Sequence, residues 1–379
     1  MRLLTASLLL LAARGHILAQ GALATQGFGY APGQLSARAA ATGGALAEFD
    51  PTSSVNPGAV GAWSGRSGIF FQYSPEFRRT RTAGGDDKAT IARFPLVGGI
   101  LRIGERWTAA ASASTFLDRS WETTFTGTDT LGGDVAPFTA STRSVGAIND
   151  FRIAAAWAPF ARLRLGLAGH VFAGENRRQE DRLYSDSSVF APFRSRSSVS
   201  FSGRAVSVGV EVQPSPDFAL AASARAGGTI KAFSGDTTLT EAEIPARIGF
   251  GAAYSGVAGT VLGVSAERTR WTSLESLAES NITAHDAWDI GVGAETKGPQ
   301  LAGATIPVRA GYRWRTLPFG IGANEISEKI IAGGLGVQFA RNRATADLTV
   351  ERASRTGSTG SGSASEKAWT LSVGFTVRP

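Results

Sequence analysis

The sequence predicts an all-β protein, a transmembrane antiparallel β-barrel of about 14 strands with an N-terminal plug (hatch) in its lumen. Three observations lead to this prediction. Beyond Ser67, large apolar residues alternate with small or polar ones at a period of two, and short and long connections alternate between these segments. No later apolar run is long enough for a spanning helix, so strands must carry any passage through a membrane.

Composition sets the outer limits. The 379 residues include 47 glycines, one methionine and no cysteine, and 43% of them are hydrophobic. No linker-like stretch divides the chain into soluble domains. The net charge of +7 would suit nucleic acid, but lysine and arginine are scattered rather than gathered on one element, so we expect no such partner.

We expect a signal peptide at residues 1–24. Arg2 supplies the positive charge, and residues 3–13 form an apolar run that is too short to span a bilayer. The sequence leaves two cleavage positions open, after Ala19 and after Ala24.

Residues 25–63 are predicted to form the plug. Within them, residues 35–63 are rich in small side chains and begin like a helix, which Pro51 and Pro57 do not allow to continue. Asn56 and Pro57 are expected to fix where the chain enters the wall, because asparagine tolerates turn geometry and proline fixes its own φ. A disordered leader is the alternative.

Residues 64–379 are predicted to form the barrel. The clearest strand is residues 369–378 (WTLSVGFTVR), in which large apolar residues from Trp369 to Val377 alternate with small or polar ones. Alternation does not decide which face meets lipid, so a water-soluble sandwich is the alternative. Long polar connections are predicted at residues 83–89, 118–143, 175–198, 234–243, 272–285, 316–328 and 353–366. Their strict alternation with short turns is typical of outer membrane barrels.

The predicted lumen is wide. Fourteen strands would enclose a backbone diameter of roughly 28 Å, which side chains alone do not fill. Many inward positions are moreover glycine, namely Gly249, Gly251, Gly291, Gly293, Gly311, Gly334, Gly336 and Gly374. The lumen is therefore either open to water or occupied by the N-terminal segment.

Residues 36–58 (SARAAATGGALAEFDPTSSVNPG) resemble the hatch of FadL-like outer membrane transporters for long-chain fatty acids and other hydrophobic compounds. The matching positions are Arg38, Gly43 to Ala45, Asp50 to Ser53 and the Asn56, Pro57, Gly58 triplet, where Gly58 replaces the usual alanine. Residues 245–249, 267–277 and 307–312 add weaker similarity. The resemblance implies a 14-stranded barrel, a hatch and lateral delivery of apolar ligands.

Two functions are weighed. The first is a channel in the bacterial cell outer membrane for passive uptake of small hydrophobic molecules, with Phe70, Phe116 and Phe172 lining its lumen. The second is a non-transporting barrel that serves as a scaffold or secretion partner. A hydrolase is disfavoured because His170 has no serine or aspartate partner within its own strand.

The expected partners follow from the channel prediction. We expect a monomer in contact with outer membrane lipids, lipopolysaccharide and a hydrophobic small molecule. No phosphate-binding loop or metal-ligand spacing is present, so we predict no cofactor, no metal and no enzymatic activity.

Charged residues at inward positions are expected to form ion pairs, because unpaired charge in a partly dehydrated lumen is costly. The predicted network contains Asp289, Glu295, Arg313, Asp347 and Glu351. If the ligand carries a carboxylate, one arginine must be free to bind it. Arg309 is the first choice and Arg247 the second.

Pro75 and Pro95 fall in the first two strands, and a hairpin centred near Gly85 would place them roughly opposite one another. Each lacks a donor for the ladder, which favours a bent or open wall there. We therefore expect a lateral gap at the second and third strands. The alternative is that both prolines lie above the membrane.

Overall fold

The computed structural model describes residues 23, 28–82, 85–277, 282–301, 304–321, 324–340, 343–359 and 362–378. The predicted signal peptide, with its cleavage positions at Ala19 and Ala24, lies outside these residues apart from residue 23. No helix in this part of the chain is long and apolar enough to cross a membrane.

Strands dominate the described residues. One α-helix, α1 (Ala37–Ala41), and three 3₁₀ segments (Ala47–Phe49, Gly58–Ala62 and Trp271–Leu277) accompany them. The strands are β1 (Ser67–Thr82), β2 (Gly85–Ile103), β3 (Trp107–Asp118), β4 (Trp121–Leu131), β5 (Asp134–Phe160), β6 (Leu163–Tyr184), β7 (Phe193–Ser215), β8 (Phe218–Ser234), β9 (Thr237–Glu243), β10 (Arg247–Val257), β11 (Thr260–Thr269), β12 (Ile282–Ala284), β13 (Ala287–Leu301), β14 (Ala304–Thr316), β15 (Phe319–Ile321), β16 (Ser327–Phe339), β17 (Ala344–Thr359) and β18 (Gly362–Val377).

Fourteen of the described strands close into one antiparallel barrel. Each pairs with its neighbour along the wall, β18 pairs with β1, and β8 pairs with β10. The other four strands are additions: β4 extends the pairing of β5, β9 extends that of β8, and β12 pairs with β15. The predicted fold class and its strand number are confirmed.

The barrel wall turns its large apolar residues outward. On β18, Trp369 is 50% exposed, whereas Ser372 is 1% exposed and faces the lumen. Ile153 on β5 is 74% exposed. A water-soluble sandwich has the opposite arrangement, with its apolar faces packed together. An apolar outer face around a polar interior is what a bilayer covers, so the soluble alternative is excluded.

Several predicted loops are strands instead. The segment 118–143 contains β4 and the start of β5, and the segment 175–198 contains the end of β6 and the start of β7. In 353–366, β17 and β18 continue nearly to their turn. These stretches are polar on both faces and lack apolar alternation, yet their ladders satisfy the backbone groups. The 3₁₀ helix at Trp271–Leu277 was also not predicted, since the region after residue 63 carries no helical pattern.

Candidate functional site

Residues 28–63 lie inside the barrel and are almost wholly buried. Helix α1 packs against β14, β16, β17 and β18, while the 3₁₀ segment Gly58–Ala62 packs against β3, β5, β6 and β7. These are opposite sides of the wall, so the segment crosses the lumen. We refer to residues 28–63 as the plug; residues 25–27 of the predicted plug lie outside the described residues.

The plug folds around the carboxylate of Asp50. This carboxylate accepts hydrogen bonds from the hydroxyls of Ser36, Thr52 (2.9 Å) and Ser53 (2.8 Å). The Ser36 hydroxyl also accepts the Ala39 N–H at 3.1 Å and so caps α1. Asp50 therefore joins the start of the helix to the turn that follows it.

Asn56 holds the plug to a distant part of the wall. Its side-chain oxygen accepts the N–H of Gly58 at 2.8 Å, and its amide donates to the carbonyls of Glu48 (2.9 Å) and Val210 (3.3 Å). Val210 belongs to β7, far from β1 around the barrel. The expectation that Asn56 and Pro57 fix the start of the wall is thus corrected: they anchor the plug to β7.

Wall glycines make room for the plug. A Cβ added at Gly293 or Gly311 would lie closer than 3.0 Å to the backbone of Thr42. Of the eight inward glycines predicted above, seven have a plug atom as the nearest neighbour of such a Cβ, Gly336 being the exception. The glycines allow backbone-to-backbone approach, and the lumen at this level is occupied.

A chain of ion pairs joins the plug to the wall. Arg38 donates twice to Glu295, both at 2.8 Å. Arg309 donates to the same Glu295 and to Asp347, both at 2.6 Å. Arg309 stands directly opposite Glu295 in the β13–β14 register, and Asp347 reaches it across Gly336. The expectation that Arg309 is free for a ligand carboxylate is therefore corrected, because two wall carboxylates already hold it.

Of the remaining charged residues of the predicted network, some form ion pairs and one does not. Arg313 pairs with Asp289 at 2.7 Å, whereas Glu351 forms no ion pair with the described residues. Arg247 donates to the plug carbonyl of Val55 at 2.6 Å and pairs with a carboxylate of β11 at 3.3 Å. Arg247, the second choice for a free arginine, is thus also engaged.

An aromatic cluster lies at one level of the lumen. The ring centroid of Phe116 is 4.8 Å from that of Phe172 and 5.3 Å from that of Trp271. A cavity of about 50 Å³ adjoins Phe116 and Trp271. Phe70 is not part of this cluster; it packs with Trp63 at the end of the plug. All three phenylalanines thus lie on the inner face of the wall, as predicted, but Phe70 lies apart from the other two.

Two buried arginines at inward positions, one of them beside this cluster, have no carboxylate partner among the described residues. The Arg225 guanidinium lies 5.2 Å from the Phe116 ring centroid and 5.5 Å from that of Phe172, and its Nε has no hydrogen-bond partner. Arg152 likewise has two nitrogens without partners. Sequence reasoning missed both, although each occupies an inward position of a recognisable strand.

The fold can be compared with known proteins at this point. No family model and no curated protein matches the sequence. Among solved structures, a Pseudomonas aeruginosa FadL homologue shares a TM-score of 0.59 at 13% identity, covering 92% of this chain and 99% of that one. The chain has the FadL-type fold.

Two further structures support this assignment of fold. The Ralstonia pickettii toluene transporter TbuX matches with a TM-score of 0.58 at 14% identity over 91% of this chain and 98% of its own. The Pseudomonas putida toluene transporter TodX matches with a TM-score of 0.58 at 13% identity over the same shares.

In this FadL-type barrel, Tyr30 of the plug sits in a cage of arginines. The guanidinium carbons of Arg93, Arg315 and Arg355 lie 4.9, 5.1 and 4.9 Å from its ring centroid, and that of Arg78 lies at 5.4 Å. The Tyr30 hydroxyl accepts hydrogen bonds from two of these arginines, and its backbone pairs with the end of β3 at 2.8 Å. Nothing in the sequence predicts this cage, because plug residues have no periodic pattern.

His170 receives its partners from neighbouring strands. Its Nδ1 lies 2.9 Å from Asp150 on β5, and its Nε2 lies 2.8 Å from the hydroxyl of Ser207 on β7. The order of groups is that of a hydrolytic relay, but Ser207 is only 3% exposed and both ring nitrogens are satisfied. The side-chain amide of Gln34, in the plug, donates hydrogen bonds to the Asp150 carboxylate at 2.8 Å and to the Ser114 hydroxyl at 2.7 Å.

The two prolines lie beside an interruption of the FadL-type wall. Pro75 stands opposite Ala92, while Pro95 lies in a bulge, so the two are not opposite each other as predicted. The ladder between β2 and β3 begins only at the Leu96–Ser114 pair. Residues 85–93 of β2 pair with β1, and no residue of 85–95 pairs with β3.

Proposed function

We propose that this protein is an outer membrane channel for passive uptake of small hydrophobic molecules and that the plug closes its lumen at rest. The observation that carries this proposal is the cavity between plug and wall, where Phe116 and Trp271 lie beside Arg225. The FadL-type fold supports it, because structures with this fold include toluene transporters and a monoaromatic hydrocarbon channel. The apolar outer face supports the membrane location.

The cavity favours a hydrophobic compound that carries a carboxylate. Arg225 lines it, is 6% exposed, and has no ion-pair partner among the described residues. A buried guanidinium without a counter-charge is costly, and a carboxylate is the group that its fork fits best. The apolar part of such a ligand would pack against Phe116 and Trp271. Arg225 therefore takes the role that the sequence suggested for Arg309.

A route from this cavity leads toward the interruption of the wall. A second cavity of about 60 Å³ is lined by Tyr30 and Pro95, and the plug residue Gln34 borders both cavities. Gln34 has a φ of 56°, which a residue other than glycine rarely adopts, and it bonds to Ser114, where the β2–β3 ladder begins. We assign Gln34 as the divider between the cavities and the β2–β3 interruption as the lateral exit.

Uptake measurements test this proposal. Arg225→Gln should lower uptake of a labelled long-chain fatty acid at least tenfold while leaving uptake of an alkylbenzene nearly unchanged. Arg204→Gln is the control, since Arg204 is exposed on the outside of the same wall. Equal loss of both compounds in Arg225→Gln would show that Arg225 only braces the wall. A deletion strain that takes up both compounds normally would favour the scaffold function instead.

A further inference from the structure

A row of basic residues crosses five neighbouring strands on the outer face of the barrel. Lys329 on β16 pairs in register with Ser354 on β17, which pairs with Lys367 on β18. Lys367 in turn pairs with Arg79 on β1, and Arg79 pairs with Lys88 on β2. All four cations are exposed. We call Lys329, Lys367, Arg79 and Lys88 the basic row.

This arrangement is unfavourable on its own. Lys367, Arg79 and Lys88 occupy directly opposite positions on adjacent strands, about 5 Å apart, and like charges so placed repel each other. Among the described outward positions of these five strands, Asp86 is the only carboxylate, and it pairs with Arg79 at 2.6 Å. Lys329, Lys367 and Lys88 have no acidic partner among the described residues.

Elsewhere on the wall, two exposed cations are neutralised by carboxylates. Lys231 on β8 pairs with Glu241 on β9 at 2.7 Å, and Arg270 pairs with Glu243 at 3.2 Å. In the sector from β16 to β2, by contrast, three of the four cations of the basic row have no carboxylate partner among the described residues. A concentrated, unpaired positive charge calls for an anion from outside the chain.

The location of the basic row relative to the membrane indicates which anion binds there. One step toward the membrane, Trp369 and Phe77 stand opposite each other, both 50% exposed, and Arg352 lies 5.4 Å from the Trp369 ring centroid. Exposed aromatic residues of this kind mark the level where lipid headgroups begin. The row lies toward the β1–β2 turn, at the end of the barrel where β4, β9 and the segment Trp271–Leu277 extend beyond the wall. Long connections of outer membrane barrels lie on the outer side, so the row is on the outer leaflet side.

We propose that the basic row binds the phosphate groups of lipopolysaccharide, the phosphorylated glycolipid of the outer leaflet; this assignment rests on the outer membrane location in the proposed function. Lys367 and Lys88, which have no carboxylate partner among the described residues, offer charge-assisted hydrogen bonds to phosphate oxygens on either side of Arg79. The aromatic and apolar residues below them contact the acyl chains. The bound lipid replaces the missing carboxylates of this sector and holds the seam between β18 and β1 from outside.

The test compares the double variant Lys367→Gln/Lys88→Gln with Lys231→Gln, a control lysine that already has a carboxylate partner. Purified proteins in neutral detergent are titrated with bisphosphorylated lipid A and with dephosphorylated lipid A. The wild type and the control should bind the bisphosphorylated form at least tenfold more tightly, and the double variant should lose this preference. Equal affinity of the wild type for both forms would overturn the proposal.

Thermal unfolding gives a second readout, because the order of stability of the wild type and the double variant should reverse when lipid is added. Without lipid, the double variant should unfold at the same temperature as the wild type or higher, because repulsion is removed. With bisphosphorylated lipid A, the wild type should become the more stable protein. A double variant that is less stable under both conditions would show that the lysines only support the strands.

Two further measurements distinguish lipopolysaccharide from other phosphate ligands, and the lipid-binding proposal from the channel proposal. Phosphatidylglycerol or inorganic phosphate that binds as tightly as bisphosphorylated lipid A would overturn the assignment to lipopolysaccharide. Uptake of hydrophobic compounds by the double variant should match the wild type, so loss of lipid preference with normal uptake supports the basic row independently. Recovery of the wild type in the soluble fraction would instead refute the proposed function.

Discussion

Two neighbouring glycines of the plug allow a sharp test of how tightly it seats in the lumen. Gly43 and Gly44 both have positive φ, 63° and 81°. A Cβ at Gly43 would lie 2.7 Å from the backbone nitrogen of Tyr312 on β14, whereas a Cβ at Gly44 would lie 3.6 Å from the nearest atom, a methyl group of Leu35. Gly43→Ala and Gly44→Ala therefore share backbone strain and differ in their clash with the wall.

The expected magnitudes follow from this difference. An alanine in the left-handed region costs about 1–2 kcal/mol in either variant. The clash in Gly43→Ala adds about 1–3 kcal/mol, as for overpacking of a filled interior. A free-energy difference of this size changes the ratio of seated to released plug about 5-fold to 150-fold. The barrel should fold in both variants, because neither glycine belongs to a strand.

Single-channel conductance in planar bilayers measures the released fraction. Gly44→Ala should open about 5-fold to 30-fold more often than the wild type because of backbone strain alone, and Gly43→Ala should open far more often than Gly44→Ala. Heat-modifiable migration in mild detergent checks that both barrels are folded. Equal opening of the two variants would refute the argument that contact with Tyr312 keeps the plug seated.

Three other predictions concern the plug. Deleting residues 35–54 should leave a folded barrel with higher ion conductance, and unchanged conductance would mean that this segment does not close the lumen. Tyr30→Phe keeps the ring in its arginine cage but removes the hydroxyl, which should weaken plug seating by about 1–3 kcal/mol and lower the temperature at which conductance rises. Burial raises the pKa of Glu48 above its ordinary 4.5, so the seated plug binds a proton that the released plug gives up. Acidification from neutral pH toward 4.5 should therefore lower conductance, and a Glu48→Gln variant that keeps the full pH dependence would refute this assignment.

The barrel could be predicted from the sequence because one side of each strand faces lipid. Trp369 and its alternate neighbours on β18 carry the signal directly, since only large apolar residues suit that face. Strands that extend beyond the membrane lack this alternation of apolar and polar residues. β4 (Trp121–Leu131) is rich in threonine, has polar residues on both faces and appears in the sequence as a loop, although its ladder with β5 is complete.

The site could be predicted only in part, because ion pairs depend on register. Glu295 and Arg309 lie on one hairpin, so their pairing follows once the turn is placed between them. The contact of Arg309 with Asp347 spans β16 and depends on the absence of a side chain at Gly336. The lack of a partner for Arg225 depends on the path of the plug, which no strand pattern encodes.

The closure of the wall imposes an order on biogenesis. β1 and β18 meet at a seam, and α1 packs against β14, β16, β17 and β18, the last strands to be synthesised. The plug is therefore synthesised before every strand of the barrel but gains its binding surface last. Pairing of β1 with β18 encloses the plug. A chain truncated before β17 would have a plug without its full binding surface and two unpaired edge strands, and such edges lead to aggregation.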